Sequence, residues 1–160
     1  MSEKIIKELN KFLTGIHMGG ATFKDYLDKA QNLELKSTLK EIIESFKRHE
    51  EAITHRIEEL GGNASDSLGI IGNIAETFEK IKLIAVDTDA EVCEHEIKAI
   101  NMGIKNANKF MEENKNIEQS VMNDIKGVVK DYDNHLEVLN NLKTKLCKYW
   151  WNFQNVIYTY

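Results

Sequence analysis

Apolar residues recur at alternating intervals of three and four along most of this chain. In the first segment the series is Ile6, Leu9, Leu13, Ile16, Gly20, Phe23, Leu27 and Ala30. An α-helix returns the same face to one side every 3.6 residues, so a stripe of this length predicts one long amphipathic helix. QNLEL then makes a short connection. A second series follows with Leu35, Leu39, Ile42, Phe46, His49, Ile53, Ile57 and Leu60, and Gly61-Gly62 stands where a helix should stop. NASDSLGI, residues 63–70, reads as a polar linker containing helix-start residues.

The pattern from 71 to 113 is continuous enough for one helix, but such a length is unusual in a globular domain. VDTDAEV argues for a break, because Thr88 followed by Glu91 has the spacing of a capping box. The expectation is a connecting helix over 71–85 and a bundle helix over 89–113, with Val92, Glu96, Ala99, Gly103, Ala107 and Phe110 inward. ENKNIEQ forms the next turn. The last stripe is Ile117, Val121, Asp124 or Ile125, Val128, Tyr132, His135, Leu139, Leu142 and Leu146. Four amphipathic helices with two short turns and one longer connection predict an all-α four-helix bundle. An additional short helix is expected between bundle helices 2 and 3. The bundle is assigned to residues 1–148 and an aromatic tail to 149–160.

Composition supports long helices, since the chain has no proline to stop or kink them. A net charge of -5, with lysines spread along the chain, argues against a nucleic-acid partner. No run approaches the roughly 18 apolar residues of a membrane helix. MSEKIIKELN lacks the apolar core of a secretory signal, so a cytoplasmic location and no membrane partner are expected. Cys93 and Cys147 fit no zinc spacing.

Three polar side chains interrupt the apolar stripes: His49, Glu96 and His135. A carboxylate on a core stripe is costly without a partner, and the small neighbours Ala99 and Gly103 leave room around Glu96. Counting from a turn near Asn32 sets His49 opposite residues 15–17. Counting from a turn near Lys115 sets His135 opposite His95 or Glu96. His17, His49, Glu96 and His135 are therefore candidate metal ligands from four helices, with Asp131, Tyr132 and His95 as supporting or reserve groups. Each has a plainer reading. A histidine on a helix stripe is usually satisfied by a carbonyl or water, and His17 lies at the edge of its stripe. Asp131 can orient His135 or serve as a surface charge. His55 and His95 fall off their stripes and read as solvated.

LNKFLTGIHMGG, Tyr26, LELKSTLKE, EELGG, DTDAEVCEHE and DYDNHLEVL together resemble the ferritin-like four-helix superfamily. They are most similar to a small bacterial branch of it that is a domain of unknown function. The resemblance covers roughly residues 8–146 and implies an antiparallel bundle with metal ligands in its middle. Di-iron members of the superfamily carry a Glu on each of two helices and Glu-x-x-His on the other two. Here the positions three before His49 and His135 are Phe46 and Tyr132, which argues against ferroxidase activity. SFKRHEEAI and DYDNHLEVL match each other as aromatic-x-x-His-x-Glu-apolar. Imidazoles with one Glu suit a single divalent ion, zinc or iron. His55 and Glu59 have a hemerythrin-like spacing but lie on the outer face.

Two functions follow as expectations. One is a metal-binding ferritin-like protein, in metal handling or the oxidative-stress response. The other is a non-catalytic structural or interaction protein. In that reading KYWWNFQNVIYTY, which contains both tryptophans, mediates homo-oligomerisation, as a dimer, or contacts a protein partner. The plainer expectation for this tail is that it extends the last helix or folds over the bundle end. No nucleophile constellation, phosphate loop or cofactor fingerprint is present.

Overall fold

A computed structural model describes residues 2–65 and 86–157 of the chain. Four helices make up the bundle: α1 (Ser2–Lys29), α2 (Leu33–Glu59), α3 (Asp89–Glu113) and α4 (Gln119–Ile157). The connecting helix expected over 71–85 lies outside the described residues.

The helix ends follow local chemistry. Asn32 begins α2 by accepting a hydrogen bond from the Leu35 amide through its side chain. The end of α2 is a Schellman turn. Gly62 N–H donates to the Ile57 carbonyl and Gly61 N–H to that of Glu58, with Gly61 at φ 78°. Thr88 and Glu91 form the expected capping box. The Glu91 amide donates to Thr88 Oγ1 at 3.2 Å, and Thr88 N–H donates to Glu91 Oε2 at 2.9 Å. This is why α3 starts at Asp89.

Cross-helix pairs establish the topology. Phe12 meets Phe110 and Tyr26 meets His95, so α1 and α3 run antiparallel. Glu34–Lys145, Phe46–Tyr132 and Arg56–Asp124 make α2 and α4 antiparallel as well. The neighbours α1 and α2 are also antiparallel, as the side chains facing Gly19 and Gly62 require. The order is up-down-down-up, and the 60–88 connection joins opposite ends of the bundle. Described contacts mark both of its ends. Asn10 Nδ2 donates to the Asn63 carbonyl at one end. At the other, the Asp89 carboxylate accepts the amides of Gln31 and Asn32 at 2.8 and 2.9 Å.

The apolar stripes meet along the axis. Leu9, Leu13, Leu35, Leu39, Ile53, Ile57, Ile100, Ile125 and Leu139 are all fully buried. Each contributes about 1.5–3 kcal/mol relative to leaving it exposed. Among the described residues, no helix is long and apolar enough to cross a membrane.

Candidate functional site

The middle of the bundle is aromatic. Phe46 of α2 and Tyr132 of α4 pack with ring centroids 5.3 Å apart, and Phe46 also meets Phe23 at 5.2 Å. Glycines on the other two helices make this possible. A Cβ at Gly19 would stand 2.5 Å from a Phe46 ring carbon, and one at Gly103 would stand 2.6 Å from a Tyr132 ring carbon. Two rings thus occupy the space that two missing side chains leave open. Burial pushes the Tyr132 hydroxyl well above the ordinary phenol range, helped by the nearby Glu50 carboxylate.

The histidines lie around this plug. His49 Nε2 is 3.1 Å from Asp131 Oδ2 on α4 and 3.3 Å from Ser45 Oγ, while its ring stands perpendicular to that of Tyr132 with centroids 6.0 Å apart. His135, four residues after Asp131, is half-buried, and its Nε2 has no hydrogen-bond partner. His17 is on another seam, between α1 and α2, with Nδ1 3.0 Å from Glu50 Oε1. Burial lowers the pKa of both His49 and His135. Asp131 opposes that shift in each, and for His135 the neighbouring His49 reinforces it.

Glu96 occupies a separate place. It is fully buried, and neither carboxyl oxygen has a hydrogen-bond partner. The packing of Gly103 against Tyr132 sets the register of α3 on α4. Glu96 is seven residues from Gly103, which places it about two turns from the aromatic plug and about one turn beyond the level of His135. Its charge bears on Tyr26 and Cys93. Burial pushes its carboxyl well above the ordinary value. Cys93, in the same surroundings, is pushed up to about 12, chiefly by burial, and is an inert thiol.

His95 departs from its expected solvation. It is buried and stacks on Tyr26 with centroids 5.9 Å apart, leaving Nδ1 without a partner. A single apolar stripe implies that α3 faces one partner. In the bundle it packs on both α1 and α4, so residue 95 falls on the α1 side. His55 is exposed, as its position outside the stripe requires.

The residues in the middle of the bundle do not fit a carboxylate-bridged metal pair. Phe46 and Tyr132 fill the positions where Glu-x-x-His would supply carboxylates, and Gly19 and Gly103 fit those rings. Among the described residues, no three His, Cys, Asp or Glu side chains are grouped so as to hold a metal ion. Ser45, His49 and Asp131 do not form a hydrolytic relay either. Both neighbours contact the same nitrogen, Nε2, whereas a relay uses the two ring nitrogens separately. Ser45 and Glu50 were not singled out from the sequence. Ser45 precedes His49 by one helical turn, a spacing that would have suggested the contact. Glu50 had no such signal, because its partner is on another helix.

A family model described as "Domain of unknown function (DUF2383)" matches residues 4–113. No curated protein matches the chain. Among solved structures, the chain is similar to a dodecameric thioferritin, the bacterioferritin-related protein from Bacteroides fragilis. The identity is 12% and the TM-score 0.77, over 96% of this chain and 92% of that one. A second similarity is to a two-domain protein from Anabaena variabilis containing DJ-1/ThiJ/PfpI-like and ferritin-like domains. There the identity is 19% and the TM-score 0.71, over 91% of this chain and 37% of that one. A third is to a ferritin-like, diiron-carboxylate protein from Bacillus anthracis, at 18% identity and TM-score 0.70, over 89% and 96% of the two chains. At these identities the likeness is one of fold: a ferritin-like four-helix bundle.

Proposed function

The chain belongs to the DUF2383 family, and from that premise we propose that it is a non-catalytic ferritin-like bundle that works by self-association. The Phe46–Tyr132 pair carries this reading, since it replaces the centre on which di-iron chemistry depends with a packed aromatic core. Self-association is supported by the end of α4. The Glu34–Lys145 ion pair marks where α2 begins, and α4 continues from there to Ile157. Those twelve residues add about 18 Å of helix beyond the start of α2. At that end Leu33 and Tyr149 are 81% and 71% exposed, and the helix there has the sequence KYWWNFQNVI. A similar fold assembles as a dodecamer in the Bacteroides fragilis thioferritin. Iron titration of the untagged chain, followed by desalting and metal analysis, tests the non-catalytic part. Less than one retained equivalent is expected, and two iron equivalents per chain would overturn it.

The α2–α4 seam favours a second reading, a single zinc or iron ion. His49 already meets Asp131, and His135 Nε2 is buried without a hydrogen-bond partner while Asp131 and His49 both act on its charge. His17 and Glu96 take no part in this reading. A His49→Leu/His135→Leu double variant that retains the same zinc as the natural chain would exclude it.

A further inference from the structure

A groove of about 430 Å³ runs between α1 and α3, and the proposed self-association makes no use of it. Its floor is apolar, formed by the Phe46 and Tyr132 rings where Gly19 and Gly103 bring the helix backbones close. Its two ends differ in chemistry. One half is walled by Gly15, Ile16, Gly19, Ala99 and Gly103; the other carries Lys11 and Lys109, with Glu8 and Glu113 one turn further.

Gly15 is the informative residue. Gly19 and Gly103 lack side chains because Phe46 and Tyr132 fill their places, but a Cβ at Gly15 would meet nothing within 4 Å. Packing therefore does not account for a poor helix former in the middle of α1. A side chain there would enter the groove, and glycine keeps it open.

The charged end indicates the polarity of the occupant. Phe12 and Phe110 meet across the groove with centroids 5.9 Å apart. Lys11 and Lys109 directly precede them on antiparallel helices, so the two lysines stand within about 3 Å of the same height. Lys11 pairs with Glu8 at 2.8 Å, and Lys109 pairs with Glu113 only at 3.8 Å. An ammonium has three donors; the Lys11 pair uses one, and the Lys109–Glu113 contact is too long for a hydrogen bond and uses none. Both lysines therefore keep donors for an anion between them, and Glu8 and Glu113 lie on the far side of the lysines from the apolar slot.

We propose that the α1–α3 groove binds a free acyl carboxylate, with its chain over the Phe46–Tyr132 floor and its carboxylate between Lys11 and Lys109. A floor of flat rings with glycines at its sides suits an unbranched chain. Calorimetric titration of the full chain with decanoate below its micellar concentration tests this. One saturable site is expected, with affinity falling about tenfold or more in a Lys11→Gln/Lys109→Gln variant. These substitutions are on the surface and leave the core intact. Gly15→Leu should abolish binding while its thermal midpoint stays at or above that of the natural chain. Methyl decanoate, with the same tail and no charge, should bind about tenfold more weakly or worse. Absence of saturable decanoate binding, or undiminished binding by folded Gly15→Leu, would overturn the site. Equal binding of acid and ester would overturn the role of the two lysines.

Discussion

At the scale of single residues, three glycines in similar helical surroundings should respond in opposite directions to the same change. Gly19→Ala and Gly103→Ala push a methyl group into Phe46 and Tyr132, so each should lower stability by about 1–3 kcal/mol. Gly15→Ala meets no neighbour and should raise it by up to about 1 kcal/mol. Urea midpoints for the three variants check both signs together. Glu96 gives a pH test. Its folded-state pKa is raised above the ordinary value of 4.5, so the folded chain keeps a proton that the unfolded chain releases. The stability tied to that proton is complete below about pH 4.5 and declines as pH rises toward the folded-state value. Burial lowers His49 and His135 instead, so their stability is lost as pH falls below 6.5. The two slopes oppose each other, so a comparison of chains isolates one of them. The urea midpoint of Glu96→Gln should gain on that of the natural chain as pH rises from about 5 to 8. A constant difference would mean that Glu96 is paired and charged.

At the scale of elements, the turn between α1 and α2 depends on a residue far away in sequence. Asp89 opens α3 and its carboxylate accepts the amides of Gln31 and Asn32, so one side chain joins three helix ends. Asp89→Ala should cost about 1.5–3 kcal/mol, the range for hydrogen bonds to a charged group. Amide exchange at 31 and 32 should accelerate, while the Schellman turn at Gly61 stays protected. The four helices and their approximate limits were legible in the sequence because each stripe follows the 3.6-residue period. The Thr88–Glu91 capping box was legible because both of its partners lie within one turn. Asp89 as a clamp was not, since nothing local relates residue 89 to residue 31.

At the scale of the whole molecule, the groove between α1 and α3 and the end of α4 are not filled by the core packing of the described residues. Removing residues 149–160 should lower the oligomeric state, read by light scattering on a sizing column. An unchanged mass would count against association through this end. The deletion should leave far-ultraviolet helicity per residue close to its original value. The core residues of α4 up to Leu142 pack on the bundle and do not need the projecting turns.

The sequence by itself determined that this chain is an all-helical bundle, with stripes of known residues facing inward and particular stop and start signals. Those properties are set by periodicity and by groups within a turn of one another. The sequence also identified the polar residues that break the stripes, but their arrangement depended on tertiary structure. Counting from turns put His17, His49, Glu96 and His135 near one level. The register of α3 on α4, fixed by a glycine receiving the Tyr132 ring, instead buried Glu96 about one turn beyond His135, with no hydrogen-bond partner. Packing against two neighbours buried His95 on Tyr26. Distances across the bundle depend on which side chains interlock, and a one-residue slip there moves a ligand by 100° around its helix. That is why the fold could be read along the chain, while the aromatic centre became apparent only once the helices were packed together.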